Sequence, residues 1–201
     1  MEHSYKYTLT SAPSTEPCTL QEAKDWARIT TSNDDTLITA MISAARVQAE
    51  EFMGRAIITQ TWDVYFDSFS YDMGITKGGI TAISSIKYQD EDNSEQTLAT
   101  SSYETTRNLN ADSKNKTRIR VSNAPNIYGD GLENVLITFV AGWANAAAVP
   151  ELIKSAIKTR VATWYENRQE VVTGTQVNNI GMQYDLSWFE NMLSPYKVID
   201  L

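Results

Sequence analysis

The sequence predicts an α+β fold in which helices from both ends of the chain form a bundle and an antiparallel β block is inserted between them. The hydrophobic period changes from helical to alternating after Gly54, and it changes back near Pro150. Polar turn residues separate the alternating segments between these two points. Hydrophobic residues make up 42% and charged residues 21% of the 201 positions, which is typical of a globular protein.

Two helices are predicted before the β block. Thr19 and Glu22 have the spacing of a capping box, so a short helix begins after Thr19. Asp34 and Asp35 are interpreted as caps of the second helix, and Gly54 as the left-handed residue that ends it. Residues at helical spacing indicate the two helices. Leu20, Ala23, Trp26 and Ala27 share one face of the first, and Leu37, Met41, Ala44, Ala45, Gln48 and Phe52 recur along the second.

The β block contains alternating segments that are separated by turns such as Asp92-Asn93 and Lys77-Gly78-Gly79. The predicted strands are Thr59–Phe66, Ile80–Gln89, Gln96–Leu98, Tyr103–Arg107, Lys116–Val121 and Val135–Val140. Residues 112–116 form a polar insert within the block.

The longest helix is predicted after the β block. Pro150 suits its first position, and the helical pattern continues from Glu151 to about Val171. Its expected buried stripe consists of Ile153, Ala156, Ile157, Arg160, Val161 and Trp164. A last short helix is predicted around Asp185–Leu193.

These patterns divide the chain into five parts. They are an extended N-terminal arm (1–18), the N-terminal helices (19–56), the β-rich insertion (57–148), the long C-terminal helix (149–172), and a loop, short helix and docking tail (173–201). The Ser/Thr-rich arm is expected to become ordered against a neighbouring molecule.

The composition argues against an enzyme. His3 is the only histidine and Cys18 the only cysteine, so neither a zinc site nor a Cys–His pair is expected, and no cofactor is predicted. The net charge of −8 disfavours tight wrapping of nucleic acid. No apolar run is long enough to span a membrane and no signal-peptide pattern is present, so the chain is expected to act in a cytoplasm.

Two groups of residues are candidate contact sites. Lys114, Lys116, Arg118 and Arg120 alternate, so an extended backbone would place them on one face as a basic stripe. That stripe could meet an acidic partner or DNA phosphates, or it could be a solvated strand face whose cations guard a sheet edge.

The C-terminal segment concentrates apolar residues that could dock on a partner as an added strand or in a groove. The proposed docking residues are Trp188, Phe189, Tyr196, Val198, Ile199 and Leu201. The alternative is that the segment packs on the chain's own core. If the tail docks on a partner, deleting residues 194–201 is expected to abolish attachment to that partner and to leave the fold of this chain intact.

Several segments resemble the tailed-phage head–tail connector (adaptor) proteins, the gp6-like and phiE125 gp8-like family. The likeness is carried by TLQEAK (19–24), DDTLI (34–38) with AAR (44–46), GRAIITQTW (54–62), FVAGW (139–143), VPELIKSAI (149–157) and WYENR (164–168). The order and spacing of these segments carry the resemblance, which spans roughly residues 19–172 and departs from the family at the polar insert and after residue 173.

The resemblance implies a structural role without bond chemistry. A homo-oligomeric ring of about twelve subunits would lie in the neck of the virion, beneath the portal protein, after assembly in the host cytoplasm. It would link the portal to a stopper or tail-completion protein and let genomic DNA pass through its lumen without sequence-specific binding. The alternative function is a tail or baseplate module that recognises a protein or glycan.

Overall fold

A computed structural model describes residues 6–106, 109–129, 131–167 and 188–198 of the chain. The described residues divide into two compact units. The β unit contains residues 6–14, 59–143 and 198, and the helical unit contains the described residues of 15–58 and 144–197. Helices and antiparallel sheets together confirm the predicted α+β fold.

The helical unit is built from α1 (Leu20–Ala27), α2 (Asp35–Met53) and α3 (Glu151–Glu166), and residues 188–193 are also helical. Short 3-10 turns lie at Ala146–Ala148 and Ser194–Tyr196. The three long helices pack on one another around a core of small and branched side chains. That core includes Ala23, Ile38, Ile42, Ala45, Ala49, Met53, Ile153, Ala156, Ile157, Val161, Phe189 and Leu193.

The predicted start of α1 and the predicted end of α2 are both confirmed. The Thr19 backbone N–H donates to Glu22 Oε2 at 2.6 Å, and the Glu22 N–H donates to Thr19 Oγ1 at 3.2 Å, which completes the capping box. Gly54 ends α2 with a φ of 68°, a left-handed conformation that costs a residue without Cβ little. Helix α3 ends at Glu166, earlier than the predicted position near residue 171.

The two predicted acids lie at the N-terminus of α2, where their charges complement the helix dipole, and Asp35 is in the first turn. Asp34 occupies the N-cap position, but its side chain makes no capping hydrogen bond. Its carboxylate accepts a hydrogen bond of 2.7 Å from the Tyr165 hydroxyl on α3, and Asp35 accepts one of 2.6 Å from the Lys24 ammonium on α1. The two carboxylates therefore join α2 to its neighbouring helices.

Of the residues whose spacing indicated α2, only Ala45 is fully buried. The core-facing residues are Ile38, Ile42, Ala45, Arg46, Ala49 and Met53, whereas Leu37 and Ala44 are exposed. Trp26, which shares a predicted face of α1 with buried Ala23, is exposed as well. Both helices carry apolar residues on more than one side, so periodicity alone does not identify the core face.

The β unit contains two antiparallel sheets. Its strands are β1 (Lys6–Ser11), β2 (Gln60–Phe66), β3 (Met73–Ile75), β4 (Ile80–Gln89), β5 (Glu95–Thr97), β6 (Tyr103–Thr105), β7 (Thr117–Val121) and β8 (Val135–Ala141). The larger sheet has the order β1-β2-β8-β4-β5, and the smaller has the order β3-β7-β6. Strand β8 is the middle strand of the larger sheet. Its residues alternate between buried and half-buried positions, and Val135, Ile137 and Phe139 enter the core.

All six predicted strands are present with small shifts at their ends, and the described residues contain two further strands, β1 and β3, that were not predicted. The predicted end of one strand at Arg107 lies outside the described residues. Strand β1 corrects the prediction of an arm that is ordered by a neighbour, because Lys6–Ser11 pairs with β2 of the same chain. Tyr7 explains this pairing: its ring makes an edge contact with Phe139, and its hydroxyl lies 3.0 Å from Thr76 Oγ1.

Candidate assembly surfaces

A buried polar network fixes the chain where α2 ends. Glu50 accepts a hydrogen bond of 2.7 Å from Arg46 Nη1 and another of 2.8 Å from the backbone N–H of Ile57. Arg46 also pairs with Glu16 at 2.8 Å. Because these groups are largely buried, the network holds residues 54–57 in one conformation as the chain leaves the helical unit.

Arg55 is a second buried cation beside this network. Its side chain is fully buried, and its Nη1 donates to the backbone carbonyl of Tyr196 at 3.3 Å. A guanidinium is buried only where hydrogen bonds or charges compensate it. The contact therefore ties the C-terminal 3-10 turn to the helical unit. Sequence reasoning missed this role because arginine is most often exposed and nothing in the local pattern marks Arg55 as buried.

The C-terminal segment is divided between core and surface. Phe189 and Leu193 are buried in the helical unit, and the Arg160 guanidinium lies 5.5 Å from the Phe189 ring centroid. The assignment of Phe189 to partner docking is therefore wrong, because its side chain belongs to the chain's own core. Trp188, one position earlier, is 46% exposed.

The other proposed docking residues lie near the end of the described chain. Tyr196 and Val198 are half-buried. Ile199 and Leu201 lie outside the described residues. The described docking candidates are thus Trp188, Tyr196 and Val198.

The four cations of the proposed basic stripe do not share one strand. Lys114 and Lys116 precede β7, and only Arg118 and Arg120 lie on it, with both side chains on the solvent face. Arg118 forms an ion pair with Asp72, and the Arg120 guanidinium lies 4.7 Å from the Tyr71 ring centroid.

Strand β7 lies in the middle of its sheet, so the edge-guarding interpretation is wrong. Arg120 stands opposite Glu104 of β6, which offsets part of the positive charge of this face. The face therefore presents partly neutralised cations rather than a continuous basic stripe.

The outer face of α2 is apolar and exposed. Leu37, Ala40, Ala44 and Val47 follow one another at helical spacing along it. A shallow groove on this face is lined by Ala40, Ser43, Ala44, Val47, Gln48 and Glu51. The helical spacing in the sequence included Leu37 and Ala44 but did not show that they are exposed.

Trp26 forms a separate exposed apolar feature on the helical unit. Its side chain is 48% exposed, and its Nε1 donates to Thr159 Oγ1 of α3 at 3.1 Å. The Lys158 ammonium lies 5.0 Å from the centroid of the ring. These contacts hold the ring in one orientation while leaving about half of it open to solvent.

The described residues offer little for bond chemistry. Burial raises the pKa of the Cys18 thiol to about 12, so the thiol stays protonated at neutral pH and is a poor nucleophile. No group of three or more acidic, histidine or cysteine side chains within the described ranges could hold a metal ion. His3 lies outside those ranges. No helix in the described part of the chain is long and apolar enough to cross a membrane.

The fold is similar to that of solved proteins from gene transfer agent (GTA) particles. One match, from the neck of an empty GTA particle computed with C6 symmetry, has a TM-score of 0.74 at 16% identity and covers 98% of this chain and 97% of the other. A chain from the virion of a native GTA particle has a TM-score of 0.73 at 16% identity, with 97% and 96% covered. A third, from the neck of a native particle computed with C12 symmetry, has a TM-score of 0.69 at 16% identity, with 96% and 97% covered.

No protein with a curated description matches the sequence. The family model of the phage gp6-like head-tail connector proteins matches residues 17–120, from the residues before α1 to the end of β7. The match contains the capping box of α1, the whole of α2 and the Gly54 turn into β2. This family has a structural role and is not a class of enzymes, which agrees with the surfaces described above. The chain belongs to the phage gp6-like head–tail connector proteins.

Proposed function

We propose that this connector assembles as a ring of about twelve copies in the neck of a phage-like particle. The ring joins the portal protein to a stopper or tail-completion protein, after assembly in the host cytoplasm. The observation that carries the proposal is the family match, together with a fold that overlies neck proteins along almost the whole chain. Neck reconstructions with C6 and C12 symmetry support a closed ring.

The helical unit has two different exposed faces, which a ring subunit requires. A closed ring needs heterologous contacts, in which two different faces of each subunit meet. The helical unit presents the outer face of α2 and, separately, Trp26. The net charge of −8 suits a lumen through which DNA moves, because a wall rich in cations would bind the phosphates and retard the DNA.

Attachment to the portal is assigned to the C-terminal tail, through Trp188, Tyr196, Val198, Ile199 and Leu201. The exposed guanidinium groups of β7 are a further candidate contact. Deletion of residues 194–201 is a poor test of this assignment, since it removes the Tyr196 carbonyl that accepts from buried Arg55. The fold would be weakened together with the docking site.

Two matched tail variants test the attachment without that defect. One replaces the apolar residues (Val198→Ser, Ile199→Ser, Leu201→Ser), and the other replaces the polar ones (Lys197→Ala, Asp200→Asn). Electron microscopy of each protein mixed with isolated portals should show coaxial rings for the wild type and the polar variant only. Equal attachment of the apolar variant would remove residues 198–201 from the interface.

The same images address the alternative, a tail or baseplate module that binds a protein or glycan. Such a module would not form coaxial rings on isolated portals. A wild-type protein that stays monomeric in the presence of portals and never decorates them would contradict the connector proposal itself.

A further inference from the structure

Helix α2 carries apolar residues on two opposite faces. Ile38, Ala45 and Ala49 enter the core, whereas Ala44 and Val47 lie outside. At about 100° per residue, the centres of the inner and outer stripes are about 180° apart on the helix. A contiguous apolar face that stays exposed often marks an interaction surface. The outer face of α2 therefore has the character of a surface that another molecule covers.

The outer face also lacks charge over most of its length. The exposed residues of α2 between Asp35 and Glu51 are Thr36, Leu37, Thr39, Ala40, Ala44 and Val47. Charged residues make up 21% of the chain, so a helix face that remained in water would be expected to carry several. Depletion of charge is the feature that distinguishes the centre of a protein interface from ordinary surface.

The helical unit also holds a surface that fits this face. Trp26 projects from α1, and its indole is held by Thr159 and Lys158 of α3. A held aromatic ring loses little entropy on binding, and tryptophan is among the residues that contribute most to binding energy. Arg28, also exposed, stands two residues from Trp26. Its positive charge complements that of Glu51, the exposed acid at the C-terminal end of the outer face.

The two surfaces lie on different sides of the unit. Trp26 lies on α1 against α3, whereas the outer stripe lies on the side of α2 away from the core, so the two surfaces share no residue. One copy can therefore use its Trp26 side while its own α2 face receives another copy. This is the head-to-tail arrangement from which rings are built.

We propose that the outer face of α2 is the contact between neighbouring subunits, covered by Trp26 and Arg28 of a second copy of this chain. The indole packs on Ala40 and Ala44, whose small side chains admit a large ring, and Arg28 lies near Glu51. The inference rests on the proposed ring and adds which faces of the subunit close it.

The first test adds one negative charge to the face. Ala44→Glu introduces an unpaired carboxylate at the centre of the contact, and Ala148→Glu adds the same charge at an exposed alanine of the same unit. Ring formation, measured by electron microscopy and mass in the conditions where wild-type rings form, should fall at least about tenfold for Ala44→Glu and remain unchanged for Ala148→Glu. Matching thermal melts show that both variants fold.

The second test identifies the occupant. Full-length protein with the photo-crosslinker benzoylphenylalanine at position 44 is irradiated in assembled particles, and the products are mapped by mass spectrometry. The expected product joins two copies of this chain at peptides that contain Trp26 or Arg28. A product with another protein, a link within one copy, or no product would overturn the inference.

The outcomes separate the two proposals. If wild-type protein forms no ring in the particle, the connector-ring proposal fails and the subunit contact fails with it. If rings form equally well with wild type and Ala44→Glu, only the assignment of the α2 face fails.

Discussion

Replacing Glu50 tests the buried network that ends α2. Glu50→Ala removes the acceptor of the Ile57 N–H and one of the two carboxylates that bind Arg46. Breaking a buried ion pair costs about 3–5 kcal/mol, but Arg46 keeps Glu16, so we expect about 2 kcal/mol from this part. A buried N–H without its partner adds about 1–2 kcal/mol. The free energy of unfolding should therefore fall by about 3 kcal/mol.

Glu51→Ala is the matched control, because Glu51 is the adjacent residue of the same type and is exposed. Its effect should stay within about 0.5 kcal/mol. Circular dichroism at a helix-sensitive wavelength follows urea and thermal unfolding of both variants. For a chain of this length, the loss in Glu50→Ala corresponds to a Tm lower by roughly 6–12 °C. Equal stability of the two variants would refute the assignment of the network.

Three further predictions concern the helical unit. In urea titrations, Phe189→Ala should lower the free energy of unfolding by about 3–5 kcal/mol, and Trp188→Ala should lower it by less than about 1 kcal/mol. Equal losses would contradict the placement of Phe189 in the core. Hydrogen bonds from the Thr19 backbone and hydroxyl lower the pKa of Glu22. The contribution of Glu22 to stability is therefore present above the ordinary glutamate pKa and is lost as the pH falls through the lowered value. Glu22→Gln should flatten the acid side of the stability–pH curve, and an unchanged slope would contradict this explanation. Burial raises the pKa of Cys18 to about 12. A thiol reagent at pH 8 should therefore label folded protein at least about 100-fold more slowly than urea-unfolded protein. Rapid labelling of the folded chain would contradict this by showing an accessible thiolate.

The elements predicted well are those that local chemistry determines. The capping box at Thr19 and the left-handed Gly54 set helix ends through hydrogen bonds and backbone sterics within a few residues. The strands of the β block were found because alternation is strong where one face is buried, as in β8. Strand β1 was missed because five of its six residues are exposed and its order comes from distant partners such as Phe139.

The candidate surfaces were predicted less well, because exposure depends on packing between distant segments. Leu37 and Ile38 are adjacent apolar residues, and the packing of α2 against the other helices decides that Ile38 enters the core. Phe189 and Trp188 present the same ambiguity. Burial of Arg55 depends on the Tyr196 carbonyl, 141 residues away, so no local pattern could reveal it.

The central claim is that this chain is a structural ring component between head and tail. A cryo-electron microscopy map of particles that contain it tests that claim most directly. The expected map shows copies of this fold side by side in a closed ring on the particle axis, between the portal and the first tail component. A map that places single copies elsewhere in the particle, or none in the neck, would contradict the account.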